Sequence, residues 1–266
     1  MDMPYKQKTK TLLAMALLLV SATPLSAQQS DAGSPAVQSV SAPAQAIVDR
    51  MTAYLRSLPA FTIESQTSRD EVLAFGYKMQ NNEHSTLVFQ KPDRLRVEVN
   101  GDIRNRVFYF NGTDLTMVSP EDAAFTRMPA PGGLKKLIDG LLDAGVEMPM
   151  IDVLYQIGEG RLTADAESGG LVGVSRIDGV DCYHLAFRQP TLDWQIWIEK
   201  GDRPLPRRIV ITDRFEYGNP QYQTTMRWNV QPKLGKKDFE FTAPKGVIEI
   251  PFKSTDSTND SAASGE

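Results

Sequence analysis

Few side chains in this sequence have the types and spacing that catalysis needs. The single thiol, Cys182, stands two residues from His184. On a strand that spacing places both on one face, the arrangement a Cys-His nucleophile would use. A thiol attacks as thiolate, however, and only in an electropositive, accessible niche; a strand histidine beside a buried cysteine arises more often without catalysis. Ser175 in Gly173-Val174-Ser175-Arg176-Ile177 lacks the second glycine of a nucleophile elbow. Gly158-Glu159-Gly160 lacks the third glycine and the preceding strand of a phosphate-cradling loop. One cysteine forbids an intramolecular disulfide or a thiolate zinc site, and His84 lies far along the chain from His184. The expectation is no catalytic residue, no metal and no cofactor.

Charge narrows the partners. With 29 Lys and Arg against 33 Asp and Glu, the formal net charge is -4. A nucleic-acid surface would need clustered cations to neutralise phosphates, so that partner is excluded. The basic stretch Arg94, Arg96, Arg104 and Arg106 brackets Asn100. It reads first as a solvated face or protected edge, and second as a site for an anionic headgroup or an acidic partner.

The elements that carry these residues follow from hydrophobic periodicity. Ile47, Met51, Tyr54, Leu55 and Leu58 recur at helical spacing and predict a helix from about residue 44 that Pro59 stops. From Phe61 the period changes to two. Strands are expected over 61–73, 75–81, 84–90, 94–99, 105–110, 114–118 and 124–128. Asn100-Gly101 and Asn111-Gly112 have hairpin-turn chemistry, so the segments flanking them should pair antiparallel. Asn111-Gly112-Thr113 also matches a glycosylation acceptor, but a hairpin tip explains it better.

After Pro129 and Pro131 the rhythm breaks. Leu134, Leu137, Ile138, Leu141 and Leu142 predict one helix, and Met150, Ile151, Val153, Leu154 and Tyr155 a second. Strands then resume over 171–178, 180–188, 193–199, 206–213 and 221–230, with turns at Asp178-Gly179, Lys200-Gly201 and Gly218-Asn219-Pro220. A single antiparallel sheet of about ten or more strands does not stay flat, so it should curl toward a barrel. The helical insertion is the natural cover for its concave face.

Alternation assigns the faces. Trp194, Ile196 and Ile198 oppose Asp193, Gln195, Trp197 and Glu199; Tyr183, Leu185 and Phe187 oppose Cys182, His184, Ala186 and Arg188. Leu87 and Phe89, Leu95, Val97 and Val99, Ile209 and Ile211, and Met226 and Trp228 make matching apolar rows. The pattern admits either a packed interior or one enclosing an apolar cavity. Met148 and Met150, with their flexible side chains, suit an adaptable apolar surface or plain gap-filling, and Gly140, Gly145, Gly158 and Gly160 would give the insertion mobility. Candidate cavity-lining residues are Leu87, Phe89, Leu95, Val97, Leu137, Leu141, Met148, Met150, Leu154, Leu185, Phe187, Trp194, Ile196, Ile198, Ile209, Met226 and Trp228.

Lys6, Lys8 and Lys10, the apolar run Leu12 to Val20 and the small residues before Ala27 form the pattern of a secretory signal peptide. The run is shorter than the ~20 residues a membrane span needs. Cleavage after Ala27 would leave Gln28, so no lipid-bearing cysteine follows, and the mature chain should be periplasmic with no span of its own. The expected organisation is signal peptide 1–27, disordered leader 28–43, one domain 44–252 and disordered tail 253–266.

The segment Asp193-Trp194-Gln195-Ile196-Trp197-Ile198-Glu199-Lys200-Gly201, continuing to Leu205-Pro206-Arg207-Arg208-Ile209, resembles the strand-turn-strand of outer-membrane lipoprotein carriers of the LolA-like superfamily. Lys91-Pro92-Asp93-Arg94-Leu95-Arg96, Phe108-Tyr109-Phe110-Asn111-Gly112 and Asp178 to Phe187 extend the likeness to a family of predicted periplasmic proteins of unknown function in that superfamily. The resemblance implies a mainly β fold with helices, a curved antiparallel half-barrel under a helical lid. It assigns Trp194, Ile196, Ile198 and Leu205 as fold residues and no catalytic residue, whereas the carriers' lid-locking arginine has no counterpart that can be placed. The function it implies is holding a lipid or acylated ligand in an apolar cavity. An envelope sensor or protein-interaction module using the rim and the Arg94–Arg106 hairpin is the alternative.

Overall fold

A computed structural model describes residues 39–143 and 151–251. Helix α1 (Ala42–Ser57) leads into β1 (Ala60–Val72), β2 (Lys78–Gln90), β3 (Arg94–Gly101), β4 (Asn105–Phe110), β5 (Asp114–Ser119) and β6 (Ala124–Pro129). Helices α2 (Gly133–Asp143) and α3 (Ile151–Glu159) follow. After them come β7 (Ser168–Ile177), β8 (Val180–Arg188), β9 (Leu192–Glu199), β10 (Pro206–Asp213) and β11 (Gln221–Asn229), then a 3₁₀ turn at Lys236–Phe239 and the short β12 (Ile248–Glu249).

All twelve strands form one sheet, ordered β12-β6-β5-β4-β3-β2-β1-β11-β10-β9-β8-β7. Two meanders run outward from the central β1–β11 pair, registered by Ile63 opposite Trp228 and Ser65 opposite Met226. β12 and β7 close the list without meeting, so the sheet is open. This topology dictates where the helices go. The chain leaves β6 near one edge and re-enters at β7 on the other, and α2 and α3 lie within that connection. Their apolar residues Leu137, Ile138, Leu141, Ile151 and Ile157 join one buried cluster with the strands. The mainly β, curved and open sheet with helices over one face is the class expected from the strand rhythm.

Several local details differ from expectation. The segments 75–81 and 84–90 are not separate strands: β2 runs unbroken from Lys78, and the reversal falls at 73–77, where the Leu73 N–H donates to Tyr77 O (2.9 Å) and Gly76 adopts φ +80°. Asn100-Gly101 does flank an antiparallel pair, but Asn100 still faces Asn105, so the turn itself is formed by the three residues after Gly101. The Gly101 N–H is taken by Asn105 Oδ1 at 3.2 Å, which keeps Gly101 in the strand. At Asn111 the side-chain oxygen accepts from the Thr113 and Asp114 N–H groups, both at 2.9 Å, closing the β4–β5 loop as an Asx turn. Asp178 and Gly179 both have positive φ, 47° and 81°, and Ile177 pairs with Val180, the two-residue hairpin expected there.

Periodicity assigns no element after β11, yet the chain there packs on the second face over β3 to β6. Phe239 is buried under Arg94, whose guanidinium carbon lies 6.0 Å from the ring centroid. Phe241 packs against Phe125 and Tyr109 at 5.1 and 5.7 Å between centroids. Beyond it, Ile248 pairs in parallel with Ala124 on β6. A two-residue alternation, Phe239 and Phe241, was the available signal.

Candidate functional site

The region with the most chemistry to offer a ligand is the apolar face between the sheet and α1, α2 and α3. It forms because alternation on every strand sends apolar side chains to the same side and the edge-to-edge connection brings the helices across them. Leu87, Leu95, Val97, Leu137, Leu141, Leu185, Phe187, Trp194, Ile196, Ile198, Ile209 and Met226 are all buried in one cluster. Phe89, Leu154 and Trp228 are partly buried against it. Met148 and Met150 lie outside the described residues.

The cluster is wider than the residues singled out from sequence. Phe61, Ile63, Val99, Phe108, Phe110, Leu115, Ile138 and Ile157 belong to it, as do Met51 and Leu55 from α1. Period two in Phe61/Ile63 and Phe108/Phe110, and the turn-spaced Met51/Leu55 pair, was the signal for these. Aromatic contacts organise two regions: Phe187 stacked on Trp194 (4.1 Å, 15°), and Phe61 tilted between Phe89 (5.0 Å) and Trp228 (5.2 Å). The Trp228 indole N–H donates to Pro206 O at 2.7 Å. The Trp194 indole N–H, in contrast, is buried with no acceptor among the described residues. A buried donor left unpaired costs ~1–3 kcal/mol.

Hydroxyls interrupt the apolar face near the middle of the central strands. Ser65 and Ser85 are register partners with oxygens 2.6 Å apart, and Thr67 donates to its partner Thr224 at 3.0 Å. All four are buried. Sequence reasoning passed over them because an isolated Ser or Thr in a strand reads as outward-facing. Only register reveals that each buries its hydroxyl against another.

Among the described residues, the β2–β3 turn supplies two of the polar ties that hold the helices. Asp93 Oδ1 accepts the Leu134 N–H at 3.0 Å, satisfying a free amide of the first turn of α2. Lys91 donates to Arg56 O at the end of α1. The Lys91-Pro92-Asp93 segment thus anchors two helices, a role its sequence did not announce. Lys135 joins α2 to α3 through the Tyr155 hydroxyl, and its ammonium is pushed up to about 12 by that bond first and by Asp139 second. Glycines flank the pair of helices: Gly133 (φ +80°), where a Cβ would stand 3.0 Å from Asp93 Oδ1, and Gly160 (φ +69°), packed on the Arg56 guanidinium. Of the glycines assigned to mobility, Gly160 occupies such a position. Gly140 and Gly158 lie inside α2 and α3, and Gly145 is outside the described residues.

Cys182 and His184 do share a face, the one opposite the apolar cluster. Cys182 is buried with Trp197 and Val210, its thiol 3.4 Å from Val180 O and pushed up to about 11, chiefly by burial. The His184 ring stacks on Trp197 (4.1 Å, 9°) and its Nε2 pairs with Gln195 Oε1 at 2.9 Å. The two are arranged for packing, with no thiolate at neutral pH. Ser175 is likewise committed, its oxygen accepting the Trp197 indole N–H at 2.9 Å. Among the described residues no group of three His, Cys, Asp or Glu side chains is placed to hold a metal ion, and no helix is long and apolar enough to cross a membrane. Of the arginines bracketing Asn100, Arg96 pairs with Glu98 (2.7 Å) and lies 5.5 Å from the Tyr109 centroid, while Arg106 bonds Ser119.

These features define a class: an open, mainly antiparallel, single-sheet protein whose one apolar face is roofed by helices carried in an edge-to-edge connection. Within that class the chain belongs to a family described as "Predicted periplasmic protein (DUF2092)", whose model matches residues 44–253. No curated protein matches the sequence. Among solved structures it is similar to an uncharacterized conserved protein from Thermus thermophilus, at 13% identity over 79% of this chain and 99% of that one, with a TM-score of 0.47. It is similar also to the lipoprotein LppX from Mycobacterium tuberculosis, at 14% identity over 73% of this chain and 100% of that one, TM-score 0.47. A LolA superfamily protein from Nitrosomonas europaea gives 13% identity over 74% of this chain and 97% of that one, TM-score 0.34.

Proposed function

We propose that this protein is an exported, non-catalytic carrier or binding protein that receives an acyl chain on the apolar face beneath α2 and α3. The observation that carries the reading is the roofed face itself, a continuous apolar surface spanning both meanders and closed by helices. Displacing those helices on the glycine-flanked ends would expose the surface, and each methylene buried there contributes about 0.8 kcal/mol. The Trp194 N–H, without an acceptor among the described residues, supports a guest with an oxygen at its head, such as an ester or carboxyl. The ligand-lining set is Leu87, Phe89, Leu95, Val97, Leu137, Leu141, Leu154, Leu185, Phe187, Trp194, Ile196, Ile198, Ile209, Met226 and Trp228, with Met148 and Met150 from the insertion. Export through a signal peptide cleaved near Ala27, and a single domain over 44–252, complete the proposal. Membership in a family of predicted periplasmic proteins supports the location.

The test is native mass spectrometry and lipid extraction of protein purified from its own periplasm, followed by titration with a fluorescent fatty acid. A copurifying acylated species or saturable one-to-one binding is expected, and Trp194→Phe should weaken binding about threefold to tenfold by removing one hydrogen bond. Clean protein that also fails to bind the fatty acid would overturn the reading.

A further inference from the structure

A second apolar surface lies outside the roofed face, at the tips of two hairpins. Phe75 and Tyr77 in the β1–β2 turn are 87% and 69% exposed; Phe215 and Tyr217 in the β10–β11 turn are 74% and 75% exposed. The tips adjoin because β1 pairs with β11. A Cβ on Gly76 would lie 3.2 Å from the Tyr217 ring, and Lys78 Nζ reaches Gly218 O at 3.4 Å. The two loops border one open cleft lined by Val72, Leu73, Ala74, Phe75, Glu216 and Tyr217. Four aromatic rings held this far into water are costly unless something receives them.

Three features of the tips select the receiver. First, the loops bind part of their own backbone: Gly76 N–H donates to Leu73 O (2.8 Å), Phe215 and Glu216 N–H to Asp213 Oδ1 (2.8 and 2.7 Å), and Asn219 N–H to Glu216 O (3.0 Å). Each amide bound within the tip is one donor fewer to be left bare in a low-dielectric layer. Second, their cations are already compensated. Lys78 pairs with Asp70 at 2.7 Å, and Arg214 donates to Gln189 and Pro190 carbonyls and lies near Asp193. That leaves no excess of positive charge on these loops to read an acidic surface. Third, the exposed set pairs Phe with Tyr, the ring types that settle at the level of lipid headgroups with one end dry and the other wet. The geometry points to these paired hairpin tips as a membrane-surface docking site, inserting Phe75, Tyr77, Phe215 and Tyr217 into the headgroup layer of a bilayer irrespective of its charge. This does not rest on the acyl-ligand reading.

The experiment is co-sedimentation of the purified mature protein with vesicles of phosphatidylcholine, with and without added phosphatidylglycerol. Binding to both, within about twofold of each other and little changed by salt, is expected. Phe75→Ser combined with Phe215→Ser should lower the partition coefficient about tenfold or more, whereas Phe75→Leu should retain it within about threefold. These side chains are solvent-facing, so an unchanged Tm separates lost docking from lost folding. Fatty-acid binding should persist in the double variant. Absence of wild-type sedimentation, binding only to phosphatidylglycerol vesicles, or full retention by the double variant would each overturn the proposal. So would sedimentation velocity showing that the tips instead join two copies of the chain.

Discussion

The two faces of β8, β9 and β10 are built from alternate residues of the same strands and yet have different physics. On one, Leu185, Ile196, Ile198 and Ile209 are nearly or completely removed from solvent and belong to a cluster that extends from one meander to the other. On the other, Cys182, Trp197 and Val210 form a small satellite cluster among His184, Gln195, Arg208 and ion-paired arginines. The first face is closed by helices carried from another part of the chain. The second is finished by its own cross-strand neighbours, with Arg208 5.3 Å from the Trp197 centroid and Arg188 bonded to Asp193. The contrast teaches that the residues most suggestive of catalysis sit on the self-sufficient face, and the surface proposed for a guest sits on the face that needs a roof.

Truncation on the roofed face should separate the two most strongly. Ile196→Ala removes a fully buried side chain and is expected to cost about 2–5 kcal/mol in urea unfolding, whereas Val210→Ala on the opposite face should cost about 1–2. Equal losses would break the distinction. Next in size, the Cys182 thiol, held near 11 by burial, should react with a thiol reagent at pH 8 at least a hundredfold more slowly in the native protein than in urea. Prompt native reaction would reopen a chemical role for the Cys182–His184 face.

The smallest effect belongs to the exposed pair. Arg188→Ala should cost less than about 1 kcal/mol at neutral pH, because Arg188 and Asp193 are both more than a third exposed. Arg188 bonding holds the Asp193 carboxyl below the ordinary carboxylate range, with Arg214 adding to it. A carboxylate lowered in the folded state adds stability above its unfolded pKa of about 3.9, and that contribution disappears as pH falls through the lowered value. The difference between wild type and Arg188→Ala, followed by thermal unfolding, should therefore be full at neutral pH and vanish in strong acid.

Much of the roofed face was legible because its signals are local. Trp194, Ile196 and Ile198 alternate with polar residues, and a strand's period of two admits only one assignment of faces. The hydroxyl pairs and the anchoring role of Asp93 were not legible, since Ser65 meets Ser85 through the β1–β2 register and Asp93 meets Leu134 across 41 positions of chain. The aromatic tips escaped notice for the opposite reason. Phe75, Tyr77 and Met79 alternate as a strand should, and only the turn at Gly76, brought against Tyr217, turns that row into an exposed tip.

By itself the sequence determined the mainly β class, the helices and the sidedness of strands such as β8 and β9, because composition and hydrophobic period act within a few residues. The tertiary structure alone decided that the sheet stays open, that the insertion crosses it from edge to edge, that the C-terminal segment packs on the reverse face of β3 to β6, and that two distant turns share one aromatic tip. Each of those depends on which strands become neighbours, and strand order is set by the packing of the whole chain.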